Sequence, residues 1–236
     1  MIELQNVTLR YHYEQDTLFE NLSFALPQGT NTVLCDVQSG KTSLCKMLLG
    51  ELPPNTGNVT VDGVDLYKFE KGKRPLANAL YLPSNPTFFV NKTVRYNLEY
   101  PLRVRKQLRE NAQQVATLAQ KFDLANLLDV KVKTLNFRQK KILSLARGLT
   151  VSRDIVLLDG FFDDTETDGN LSRDSVLSLL DCKTSVIFTA DPNVAIGNTV
   201  VIDDKKSVFC GASEHAREVV SNLTWLATLN AKWEIL

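Results

Sequence analysis

The stretch Cys35-Asp36-Val37-Gln38-Ser39-Gly40-Lys41-Thr42-Ser43 decides the fold. It follows the apolar run Thr32-Val33-Leu34 and opens a helical pattern made by Leu44, Met47, Leu48 and Leu49. A strand, a turn and a helix in that order, closing on Gly-Lys-Thr-Ser, have the form of a phosphate-binding loop. Backbone N–H groups at the start of a helix face an anion, and the helix dipole favours negative charge there. In this reading Gln38, Ser39, Gly40 and Ser43 line the loop, Lys41 reaches the outer phosphates and the Thr42 hydroxyl sits on Mg²⁺. The full pattern wants a glycine where Cys35 stands, and many versions want another at Gln38. A solvent-exposed turn that happens to read Gly-Lys-Thr would look the same, so the rest of the chain must decide.

Composition narrows the field. At 236 residues the chain makes one large domain, or a core with a subdomain, given roughly 100–200 residues per domain. Lys+Arg and Asp+Glu are both 27, giving a net charge of zero, so no global basic field argues for a nucleic-acid partner. No apolar run approaches the roughly 18 residues of a spanning helix. Met1-Ile2-Glu3-Leu4 enters a strand pattern directly, without the features of a signal peptide. Cys35, Cys45, Cys182 and Cys210 stand far apart and read as reduced thiols of a cytosolic protein.

Outward from the loop, Ile2, Leu4, Val7 and Leu9 alternate as a half-buried strand, and Leu18–Leu26 gives a second. Asn58–Val61, Asp62-Gly63 and Val64–Leu66 read as a hairpin. Leu80–Pro83, Ile155–Asp159 and Ser185–Thr189 are short apolar strands. Between the first two lie helical patterns at Thr93–Leu98, about Lys106–Phe122 and Leu135–Leu149. Thr199–Ile202 and Ser207–Phe209 form a last hairpin, followed by a helix expected over Ser213–Leu229. Buried strands alternating with helices imply a mainly parallel sheet, and the opening strands imply an added antiparallel layer.

In this order the motifs resemble those of the ATP-binding cassette ATPase, the nucleotide-binding subunit of ABC transporters, over roughly residues 1–212. Tyr11 resembles the aromatic residue that stacks on adenine, with Tyr13 as a rival. Residues 35–43 resemble Walker A, and Ile155–Asp159 resembles Walker B. Tyr81-Leu82-Pro83-Ser84 resembles the strand before the Q-loop, Thr93–Leu98 a segment of the helical subdomain, and Leu135–Gln139 the signature. Thr93–Arg105 looks most like the import ATPases for sugars and similar solutes. The resemblance implies an α/β P-loop NTPase core with a mixed, mainly parallel sheet, an antiparallel β layer at the N-terminal side and an inserted helical subdomain. It further implies one domain over 1–236, with the core and β subdomain in 1–83 and 151–236 and the helical subdomain in 84–150. ATP and Mg²⁺ are the implied cofactors, with Thr42 and Asp159 on the metal. The implied partners are a membrane permease and a second ATPase chain, identical or different, on the cytoplasmic face of the cell membrane.

Departures from the pattern cluster on the chemistry. Gly160 stands where the family has the glutamate that polarises water, Ser84 where it has the Q-loop glutamine, and Ala190 where it has the switch histidine. In the signature, Phe137 and Arg138 replace glycines whose backbone must approach a phosphate. Asp163, Asp164 and Glu166 follow Walker B, either as a substitute base or, far more often for such a run, as a solvated acidic loop. Arg138, Lys140, Lys141 and Arg147 could hold phosphate by charge, or form a solvated helix face. Arg95–Arg109 lies where the family docks a permease, or is itself a solvated face. Trp225 and Trp233 read as core packing or a partner anchor, and His12 and His215 have no partner pattern. No residue is assigned as catalytic. The expectation is a degenerate subunit that binds ATP weakly and hydrolyses little. The alternatives are a slow homodimeric ATPase and a pseudo-ATPase scaffold that binds no nucleotide.

Overall fold

The computed structural model describes residues 1–11, 16–36, 38–68, 78–163, 171–221 and 223. One sheet is antiparallel, with β1 (Ile2–Arg10), β2 (Thr17–Leu26), β4 (Thr56–Val61) and β5 (Val64–Asp65) in the order β2-β1-β4-β5. In β1 the buried residues are Ile2, Leu4, Val7 and Leu9, so the alternation skips a step between Leu4 and Val7. A bulge there, with Asn6 at φ 51°, restores the phase and keeps one apolar face.

The second sheet runs β10-β9-β3-β8-β7-β6, built from β3 (Gly29–Cys35), β6 (Ala79–Pro83), β7 (Ile155–Asp159), β8 (Thr184–Thr189), β9 (Asn198–Asp203) and β10 (Lys206–Ala212). Its neighbours are parallel except for the β9–β10 hairpin. Every residue of β7 and β8 is buried, as a parallel strand covered on both faces requires. Ile155, Leu157, Val186 and Phe188 face the antiparallel sheet and α1 (Lys41–Leu48). Val156, Leu158 and Ile187 pack toward α2 (Val94–Val104), α3 (Leu108–Lys121), α4 (Phe137–Gly148) and α5 (Arg173–Leu179). Leu34 and Val201 meet Ala216 and Val220 of α6 (Ser213–Ser221).

This is the expected architecture: a mixed, mainly parallel core sheet, an antiparallel layer and helices inserted between β6 and β7. The register Leu34↔Thr189 and Asp159↔Phe188 brings the carboxyl ends of β3, β8 and β7 to one edge, where ligands bind in such sheets. Two details differ from expectation. The helix expected to stop at Leu98 runs through Pro101 to Val104. The seven-residue α5 has a single buried residue, Val176, and a Ser172 cap, too little periodicity to read from sequence. The expected continuation of α6 to Leu229, together with His12, Tyr13, Trp225 and Trp233, lies outside the described residues. Among the described residues, no helix is long and apolar enough to cross a membrane.

Candidate functional site

The site is built first by Gly40. It caps α1 in the left-handed region, at φ 95° and ψ 23°. A Cβ there would lie 2.8 Å from Leu18 Cδ2 and 2.9 Å from Leu18 Cγ, so conformation and packing both demand glycine. No side chain caps α1, which leaves its first-turn N–H groups for an anion. Ser39 closes the loop behind them: its hydroxyl and its amide both donate to the Asp36 carbonyl, at 2.7 and 3.2 Å. The two departures from the loop pattern leave this cradle alone. Gln38 is exposed. Cys35 is 1% exposed and packs in the core with Leu44 and Cys45. Burial pushes its thiol up to about 11.

Lys41 donates to the Asp36 carbonyl at 3.4 Å, and its Nζ lies 3.8 Å from Asp163 Oδ2. The Thr42 hydroxyl donates to Asp159 Oδ2 at 2.8 Å. Tyr81, on the neighbouring strand, donates its hydroxyl to the same oxygen at 2.7 Å. Burial, then this bond, pushes the Tyr81 phenol well above its ordinary range, so it stays a donor. Tyr11 is 38% exposed, and its hydroxyl bonds the Ser43 hydroxyl at 2.8 Å, tying the end of β1 to the first turn of α1. The structure therefore gathers Tyr11, Ser39, Gly40, Lys41, Thr42, Ser43 and Asp159, with Gln38 on the rim. Amides, an ammonium and a hydroxyl suit a polyphosphate. The buried Asp159 carboxylate beside the Thr42 hydroxyl is the oxygen pair that suits a hard divalent cation.

Around this site Gly160, Asp163 and Ala190 have a specific geometry. Gly160 is left-handed at φ 58°, and Asp163 N–H donates to its carbonyl at 3.2 Å. Asp163 Oδ1 accepts from the Thr189 hydroxyl at 2.6 Å, beside the buried Ala190. Asp163 is therefore not in a solvated loop; Asp164 and Glu166 lie outside the described residues. At the signature position, Asn136 caps α4: its side chain accepts from Gln139 N–H at 2.8 Å, and Gln139 accepts from Asn136 N–H at 3.0 Å. Phe137 is 45% exposed.

The basic stretch of α4 is not one solvated face. Lys141 is fully buried, donates to the Phe161 carbonyl at 2.8 Å and lies 5.3 Å from both the Phe137 and Phe161 rings. Arg147 donates to the Thr87 carbonyl at 2.9 Å and covers the Phe88 ring at 4.6 Å. Both cations tie α4 to its neighbours. Sequence reasoning gave no role to the Tyr81 hydroxyl or to Thr189; it named Asp163 as a possible base without its partners, and Lys141 as a phosphate holder or a solvated lysine, not as a buried one. The glycine directly after the strand-end Asp159 and the acidic residues that follow it were the legible features of this corner of the site.

The family profile described as ABC transporter matches residues 19–162. The chain belongs to the ABC transporter family. It is similar to the molybdate/tungstate import ATP-binding protein WtpC of Methanocaldococcus jannaschii, 32% identical over 146 residues, 61% of this chain and 48% of that protein. It is also similar to the energy-coupling factor transporter ATP-binding protein EcfA1 of Mycoplasmopsis pulmonis, 24% identical over 204 residues, 83% of this chain and 76% of that one. A solved structure described as that of an ATP binding subunit of an ABC transporter has a TM-score of 0.75 at 14% identity, covering 94% of this chain and 93% of that chain. That likeness is one of fold. The chain spans about half the length of the molybdate/tungstate relative.

Proposed function

We propose that this chain is the ATP-binding subunit of an ABC import system. It sits on the cytoplasmic face of the cell membrane against a permease and a second ATPase chain, binds ATP with Mg²⁺ weakly, and hydrolyses little of it alone. The observation that carries this reading is the coincidence of a left-handed Gly40, an uncapped α1, Lys41 and the Thr42–Asp159 pair at one sheet edge. Tyr11 takes adenine, residues 38–43 cradle the phosphates, and Thr42 and Asp159 hold the metal. When bound, Mg²⁺ neutralises charge on the phosphate oxygens. The similarity to import ATP-binding proteins supports the transport direction. Gly160, Ser84 and Ala190, standing where the family keeps its water-handling and sensing groups, support weak turnover.

Residues 84–150 form the subdomain that meets the permease. An exposed aromatic group supports this: the Phe89 ring lies 5.6 Å from Tyr96 and 4.6 Å from Tyr100, with Phe89 41% exposed. Buried Asn97 holds it in place by bonding both the N–H and the carbonyl of Phe89, at 3.0 and 3.2 Å. Calorimetry of Mg-ATP with the purified chain tests the proposal. Binding that Lys41→Ala removes supports it. No binding up to millimolar ATP would leave the scaffold reading.

A further inference from the structure

We infer that Asp163 is a relocated catalytic carboxylate: it takes the place of the glutamate missing at Gly160 and serves as general base toward water attacking the terminal phosphate. This rests on the ATP-binding reading above. Because Gly160 is left-handed, the chain turns back after β7, and the Asp163 N–H bond to the Gly160 carbonyl closes that turn at 3.2 Å. The turn returns the Asp163 side chain over Gly160. Its Oδ2 lies 3.3 Å from where a Cβ on Gly160 would stand, and the Ser84 Cβ lies 3.4 Å from that point. A Cβ at 160 would press on this carboxylate and strain a left-handed backbone, so the glycine lets the aspartate sit where it does at no cost.

The carboxylate is held, not loose. Oδ1 accepts from the Thr189 hydroxyl at 2.6 Å, while Thr189 Oγ1 accepts from Asp191 N–H at 3.0 Å. That second bond commits the hydroxyl proton to Asp163 and fixes the carboxylate's orientation. Oδ2 faces Lys41 Nζ at 3.8 Å, and the Asp163 side chain keeps 22% exposure. A phosphate gripped by Lys41 therefore comes beside Oδ2, on a side chain that is partly open to solvent. In the step, the water oxygen forms a bond to the terminal phosphorus. The bond from that phosphorus to the bridging oxygen breaks, and ADP leaves with the electron pair. The water proton passes to Asp163 Oδ2 and then to the released phosphate. Water and ATP are the only reactants consumed.

The test measures Mg-ATP affinity by calorimetry and phosphate release in single turnover for the full chain, Asp163→Asn, Thr189→Val and Lys41→Ala. The wild-type chain should release phosphate slowly. Asp163→Asn should bind Mg-ATP at least as well, and release phosphate about 10²–10⁴-fold more slowly, the range for loss of a positioned base. Thr189→Val, which leaves the carboxylate but frees its orientation, should slow release at unchanged affinity, by less than Asp163→Asn does. It decides the matter if Asp163→Asn does not fold. Release by Asp163→Asn at the wild-type rate overturns the assignment. ATP binding with no release at all by the wild-type chain also overturns it, while leaving the binding-subunit reading intact. No ATP binding by the wild-type chain overturns both.

Discussion

The first turns of α1 and α4 begin from the same physical problem and solve it in opposite ways. Each helix starts with N–H groups that have no partner inside the helix. At α1 the cap is left-handed Gly40, and no side chain satisfies those donors. At α4 the cap is Asn136, and a reciprocal box with Gln139 satisfies donors from within the chain. Family resemblance asks both ends to meet phosphate, α1 for the chain's own nucleotide and α4 for that of a partner. Here one end keeps its donors open and the other satisfies two of them with its own side chains, beside an exposed Phe137. An open helix start is a binding device that costs stability; a boxed one is a stability device that costs binding.

Four measurements press on that contrast. Lys41→Ala should have the largest effect, weakening Mg-ATP binding about 10–100-fold, the worth of a charge-assisted hydrogen bond of about 1.5–3 kcal/mol; unchanged affinity in calorimetry would empty the open end of meaning. Gly40→Ala puts a Cβ in a left-handed residue and against Leu18. It should destabilise by about 2 kcal/mol, lowering the melting midpoint by about 4–8 °C, and should weaken ATP binding as well. Asn136→Ala should lose about 1 kcal/mol of stability while leaving ATP affinity of the isolated chain untouched; if affinity fell too, the two ends would not be the independent devices described.

The smallest effect is a pH response under the α1 loop. Burial raises the Cys35 thiol from 9.0 to about 11, so the unfolded chain gives up its proton first. The stability this contributes is whole below pH 9.0 and is lost as pH rises toward about 11. The melting midpoint of the wild-type chain should fall across that window more steeply than that of Cys35→Ala, and equal slopes would show that the thiol plays no part. In the same range a thiol reagent should label exposed Cys210 in the folded protein and spare Cys35 and Cys45.

Much of the fold was legible because it follows from local rules. Apolar runs such as Ile155–Asp159 need burial on both faces, and Gly40-Lys41-Thr42 at a strand–helix junction has few other uses. The bonds that complete the site were not local. Tyr81 reaches Asp159 only because β6 and β7 pair with Pro83 opposite Asp159, a register that spacing does not reveal. Lys141 reads as a phosphate holder or a solvated lysine on a basic helix, and only the packing of α4 on Phe161 shows it buried. Asp163 depends on the sign of one backbone angle at Gly160; the sequence displays the glycine but not the direction in which it turns the chain. Helix α5 was invisible for a simpler reason: one buried residue makes no pattern.

The left-handed turn at Gly160 also restricts what can replace it. Gly160→Glu would place a bulky residue in a conformation that costs about 1–3 kcal/mol, facing Asp163 and Ser84 at van der Waals distance or closer. A glutamate at 160 therefore calls for two changes, one that relaxes the turn and one that adds the side chain. A designer adding the side chain first would meet the strain before any benefit.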